Sequence, residues 1–120
     1  MEVSSSQLGS VRVLHAKGRL DHANAKGFEA MLAPHLRDCS TTGPALVLDF
    51  AQVSYISSVG LRVLLLAAKQ AKVQGGRIAI AALTPIVTEV FQVSHFDLVL
   101  KVFSDVPAAV GELGSKSQPP

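Results

Sequence analysis

Two adjacent serines, Ser57 and Ser58, lie in the stretch DFAQVSYISSVGLRVLLLAAK, Asp49 to Lys69. An apolar run ends before them at Phe50, and a helix-like apolar run begins near Val59. Hydroxyls at such a junction can do two things. One is to cap the helix, the oxygen accepting an amide hydrogen of the first turn. The other is to carry a phosphoryl group, because a helix start offers unpartnered N–H groups and the positive end of the helix dipole. A phosphate there adds a charge of about −1.5 to −2 at neutral pH. Its neighbours Tyr55, Ile56, Val59, Leu61 and Val63 are mostly apolar. If that surface docks a partner, the charge spoils binding and leaves the fold alone. Capping alone is the simpler reading, and spacing by itself does not decide between the two.

A third chemistry is nucleophilic hydrolysis. Ser57 and Ser58, several aspartates and the histidines His15, His22, His35 and His95 supply the residue types. However, YISSVG is not the Gly-x-Ser-x-Gly nucleophile elbow, and no histidine falls near the junction in sequence. The expectation is a binding module and not an enzyme. The histidines have no ligand spacing with Cys39 or one another, so no metal is expected. No phosphate-binding Gly-x-x-x-x-Gly-Lys-Ser/Thr loop occurs, and no cofactor is expected.

The elements that position these residues follow from periodicity. Glu2 to Gln7 is weakly strand-like, and Leu8 to Ser10 reads as a turn. Val11 to Gly18 alternates as a strand, which gives an opening hairpin. Phe28, Met31, Leu32 and Leu36 give one apolar face to a helix from about Ala23 to Asp38, with a kink or break expected at Pro34. Ala45 to Phe50 reads as a strand buried on both faces. A helix from about Ser58 to Gln74 follows, ended by Gly75 and Gly76. Gly60 in its first turn costs roughly 1 kcal/mol relative to alanine, a cost that close approach by another backbone would explain. Arg77 to Leu83 is the next strand. Thr84 and Pro85 open a short helix to about Val93. Leu98 to Phe103 is a last strand, and Ser104 or Asp105 caps a final helix. Strands alternating with helices imply mostly parallel pairing with right-handed crossovers. The fold class is therefore α/β: about five strands in a mixed, mostly parallel sheet with an antiparallel opening hairpin, and about four helices. One domain over residues 1–113 is expected, with a disordered tail over 114–120.

Bulk properties narrow the function classes. The chain has 120 residues, 48% hydrophobic, 17% charged and 5% aromatic, with a net charge of +2. Its basic residues are scattered, which argues against nucleic acid as partner. The lone Cys39 suits a reducing compartment. No run approaches the roughly 20 apolar residues that span a bilayer. No secretory signal opens the chain. The expected location is cytoplasmic, away from membranes.

Two motifs together resemble the STAS domain of the bacterial anti-sigma-factor antagonists. One is LVLDFAQVSYISSVGLRVLL; the other is GRLDHANA, Gly18 to Ala25. The resemblance covers roughly residues 5 to 112. It implies that Ser58, aligned on Gly60, is the phosphoacceptor. It implies two regulators: a serine kinase of the histidine-kinase-like ATPase type, which is also the anti-sigma factor, and a PP2C-type phosphatase. The unphosphorylated protein would bind the kinase and free its client, and phosphate would switch it off. The implied partner-binding positions are Asp21, Asn24, Tyr55, Ile56, Ser57, Val59, Gly60, Leu61 and Arg62. Asp49 matches a position bordering the acceptor, and a monomer is implied. This sequence departs from the pattern at Ser57, where the family usually has Asp, which makes Ser57 a rival acceptor. Val59 stands for the common Ser or Thr, and Arg62 for a common Gly. The alternative is a STAS subunit without phosphorylation, such as the small partner of a lipid-transport ATPase. Which client is regulated stays open.

Overall fold

The computed structural model describes residues 1–115. The elements are β1 Glu2–Leu8, β2 Val11–Leu20, α1 Ala25–Asp38, β3 Ala45–Ile56, α2 Ser58–Val73, β4 Ile78–Ala81, α3 Pro85–Val93, β5 Lys101–Phe103 and α4 Val106–Ser115. A 3-10 turn, Phe96–Leu98, joins α3 to β5. The five strands lie in the order β1-β2-β3-β4-β5. β1 pairs antiparallel with β2, and the other pairings are parallel. This is the architecture expected from the alternation of elements.

Strand periodicity sorts the core into two layers. Leu14, Leu46, Leu48, Phe50 and Ile80 face one way and pack with Phe28, Leu32, Leu64 and Phe91 of α1, α2 and α3. Val11, Val13, Ala45, Val47, Ala79 and Ala81 face the other way, toward Ala109 and Leu113 of α4. Burying each large side chain contributes about 1.5–3 kcal/mol. Aliphatic residues carry most of it; Phe28 and Phe50 add an edge-to-face contact at 6.3 Å.

Several local expectations need correction. β3 does not stop at Phe50 but continues to Ile56. Among the described residues its far half pairs with β2 alone, since β4 is matched only from Leu46 to Asp49. Two register shifts in β2 interrupt the simple alternation there. α1 runs unbroken through Pro34 and begins at Ala25, two residues later than expected. β4 ends at Ala81 because Ala82 takes a left-handed backbone, φ 62°. Leu98 closes the 3-10 turn, Val99 and Leu100 form a turn and a bend, and β5 is confined to Lys101–Phe103. α4 reaches Ser115, two residues into the stretch expected as tail; residues 116–120 lie outside those described.

The ends of α2 follow its sequence. Gly75, at φ 74°, supplies the left-handed C-terminal turn. The Gly76 amide donates back to the Ala71 carbonyl at 2.8 Å. Gln74 then donates from Nε2 to the carbonyls of Leu36 and Cys39, at 2.8 and 2.7 Å, bolting α2 to the end of α1. Cys39 is fully buried beside it, and burial pushes its thiol pKa up. It is a small core residue, not a reactive one.

Candidate functional site

The junction of β3 and α2 is built from three segments. The Ser57 amide donates to the Leu20 carbonyl at 2.9 Å, fastening the end of β2 to the start of α2. Ser57 is the N-cap: its backbone is extended and its Oγ accepts the Gly60 amide at 3.2 Å. The Ser57 carbonyl takes the Leu61 amide at 2.9 Å. The amides of Ser58 and Val59 are left without partners among the described residues. Ser58 is exposed, Ser57 half-buried. The Ser58 hydroxyl makes no hydrogen bond among the described residues. The two serines thus divide the two chemistries between them: one oxygen is engaged in capping, and its neighbour is open to solvent at an amide-rich corner.

Gly60 is buried for a steric reason. A Cβ there would lie 2.8 Å from Leu20 Cγ, 2.9 Å from Ile56 Cγ1 and 3.0 Å from the Leu20 carbonyl oxygen. The close backbone approach suggested by its placement in the first turn is therefore present.

The loop before α1 forms one rim. Asp21 Oδ1 accepts the Ala23 amide at 3.1 Å, and Asn24 Oδ1 accepts the Asp21 amide at 2.9 Å. Asn24 Nδ2 also donates to the Arg19 carbonyl. Asp21 and Asn24 therefore shape the loop, both half-buried, and neither caps α1 with its side chain. Arg19 lies over the Tyr55 ring, 4.4 Å from the centroid, with Nε 3.5 Å from Asp21 Oδ2. Its side chain is 60% exposed, so this ion pair adds little stability.

Most of the expected partner-binding residues converge here. Asp21, Asn24, Tyr55, Ser57 and Leu61 are half-buried; Ser58, Val59 and Arg62 are exposed. Ile56 is the exception. Only 1% exposed, it faces the helices and belongs to the core, because strand alternation turns it away from Tyr55. Gly60 likewise offers no surface and acts through packing. Asp49 is not at this corner: it sits mid-strand, seven residues before Ile56, or about 23 Å along β3. Thr84 is the N-cap residue of α3, ahead of Pro85 as expected, but it caps without its side chain: the hydroxyl donates to the Val53 carbonyl at 2.9 Å and straps α3 to the far half of β3.

Asp49 has another role. Its Oδ2 is 2.7 Å from His15 Nδ1, and His15 Nε2 is 2.9 Å from Ser6 Oγ. The order of groups matches a hydrolase relay. The serine, however, lies mid-strand in β1 and lacks the strand-to-helix turn whose amides would hold an oxyanion. The chain of bonds ties β1, β2 and β3 together. Neither it nor Arg19 was legible in the sequence, because both depend on cross-strand register. Among the described residues no cluster of side chains suits a metal ion, and no helix is long and apolar enough to cross a membrane.

Replacing Ser57 with alanine removes one capping bond. Urea unfolding of Ser57→Ala is expected to give about 1 kcal/mol less stability than the native chain. Ser57→Asp should retain most of it, since a carboxylate also caps. A loss below about 0.3 kcal/mol in Ser57→Ala would contradict the capping role.

Comparison with known proteins bears on this geometry. The family model described as the STAS domain matches residues 2–109. BtrV of Bordetella bronchiseptica, named as an anti-sigma factor antagonist, is 34% identical over 109 residues, covering 91% of each chain. An anti-sigma factor antagonist from Mycobacterium paratuberculosis superposes with a TM-score of 0.83 at 19% identity, over 94% of this chain and 93% of that one. The Bacillus cell fate determinant SpoIIAA in its phosphorylated form gives 0.66 at 17% identity, over 92% and 98%. These two structures share the fold.

Proposed function

The chain belongs to the STAS domain family, as a regulatory domain of the anti-sigma-factor antagonist type, and from that premise we propose that Ser58 is its phosphorylation switch. The observation that carries the proposal is the division of labour between the two serines. Ser57 Oγ is held by the Gly60 amide, whereas Ser58 is exposed and unbonded beside two open amides. A phosphate on Ser58 would meet those amides and the positive end of α2, so it can be accommodated without refolding.

Unphosphorylated, the corner presents Tyr55, Val59 and Leu61 with Arg62 to a partner. That partner is an anti-sigma factor that is also a serine kinase of the histidine-kinase-like ATPase type. Binding it releases the client it holds. A dianion at Ser58 desolvates poorly against the apolar contact and ends binding. A PP2C-type phosphatase restores the hydroxyl. Asp21 and Asn24 serve by fixing the loop that borders the corner.

Incubation with the purified kinase and Mg-ATP tests this. Intact mass should rise by a single phosphate, and fragmentation should locate it on Ser58. Phosphate on Ser57 instead, or none with an active kinase, would refute the assignment.

A further inference from the structure

The solvent face of α2 continues the corner in a way that the switch does not use. Val59, Arg62, Leu66, Lys69 and Val73 are all exposed. Their spacing is 3, 4, 3, 4, which brings them onto one line along the helix. Val59 and Leu66 are each 43% exposed and Val73 is 88% exposed. The opposite face, with Gly60, Val63, Leu64, Ala67 and Ala71, is buried in the domain. Apolar residues scattered singly over a surface need no explanation; here three of them recur every seven residues on one line, with a cation between each pair.

Charge selects the occupant. α2 carries Arg62, Lys69 and Lys72 and no carboxylate. None of the three takes part in an ion pair among the described residues. Glu29 of α1 borders the groove beside Leu66 and Gln70, on the flank of the line and not within it. The line begins at Val59, next to Ser58, and so runs on from the corner that receives the partner.

We propose that this line on α2 is a docking ridge for an acidic amphipathic helix of the antagonist's kinase partner, its apolar residues seated between Val59, Leu66 and Val73 and its carboxylates against Arg62 and Lys69. The inference rests on the switch reading, but reaches well beyond the acceptor. Lys69 lies about 16 Å along the helix from Ser58. It therefore reports on the ridge and not on the phosphorylation corner.

The test measures affinity of the unphosphorylated protein for the full-length kinase that phosphorylates it, by calorimetry at two salt concentrations. Lys69→Glu and Leu66→Gln should each weaken binding about tenfold, and Lys69→Glu should flatten the salt dependence. Lys101→Glu, exposed on β5 and away from the corner, should stay within about twofold of the native chain. Thermal melting checks that each variant folds, and sedimentation reports the mass of the free protein. The ridge is overturned if Lys69→Glu and Leu66→Gln bind as tightly as the native chain while Ser58→Asp still loses binding; the switch reading survives that result. It is also overturned if these variants dissociate a homodimer and leave kinase affinity intact. Absence of binding by the native chain removes the switch reading, and the ridge with it.

Discussion

Ser58→Asp is expected to cost at least about 100-fold in affinity for the kinase, some 2.7 kcal/mol, while its melting temperature stays within about 2 °C of the native chain. The two halves of that expectation have separate causes. Affinity falls because a charge is set among Val59, Leu61 and Tyr55, where an apolar partner would have to strip its water. Stability holds because the site is exposed and the helix start favours an anion there. Ser58→Ala should bind like the native chain and accept no phosphate. The phosphorylated native protein should lose more affinity than Ser58→Asp, since its charge is nearly double. Unchanged kinase affinity in the phosphorylated protein would sink the switch. A melting temperature lowered by more than about 5 °C, roughly 1 kcal/mol for a domain of this size, would mean that the charge acts on the fold instead.

The second large effect is at Gly60. Alanine there raises helix propensity by about 1 kcal/mol, so a surface argument predicts a gain. Packing predicts the reverse. The added Cβ would meet two side-chain carbons below 3 Å, and the Leu20 carbonyl at 3.0 Å has no rotamer to escape into. Gly60→Ala is expected to lose about 1–2 kcal/mol net, and Gly60→Val more than about 3 kcal/mol, by urea unfolding. Shortening the neighbour should relieve part of this. In a cycle of Gly60→Ala with Leu20→Ala, the double variant should be more stable than the sum of the singles by about 1 kcal/mol. Additive behaviour would show that Leu20 is not what Gly60 accommodates. Phosphorylation of Gly60→Val should also slow, because displacing the first turn of α2 moves Ser58.

Much of this was legible in the sequence, and the limits have physical causes. The order of elements followed from periodicity, and the hairpin and parallel sheet came with it. The far half of β3 was not legible: in AQVSYI the polar residues break the apolar run, and what holds the segment extended is its pairing with β2 across two register shifts. The same extension carries Asp49 away from the corner and turns Ile56 into the core, against what the resemblance implied for both. The pair of serines was recognised, but not which of them caps, because Ser57 and Ser58 are equivalent until the Gly60 amide chooses one. The ridge on α2 was hidden for a different reason. Leu66 stands within the contiguous run Val63 to Ala68, with Val59 and Val73 on either side of it, and only burial separates the residues that look inward from those that look out.

Beyond Asp49, β3 has β2 on one flank and, among the described residues, no strand on the other. The sheet there narrows to two strands, is bonded to α3 through Thr84 and ends at the serines. In the switch proposed above, the enzyme that adds a phosphate and the one that removes it would both address this same end of the sheet, with β5 and α4 left outside the contact.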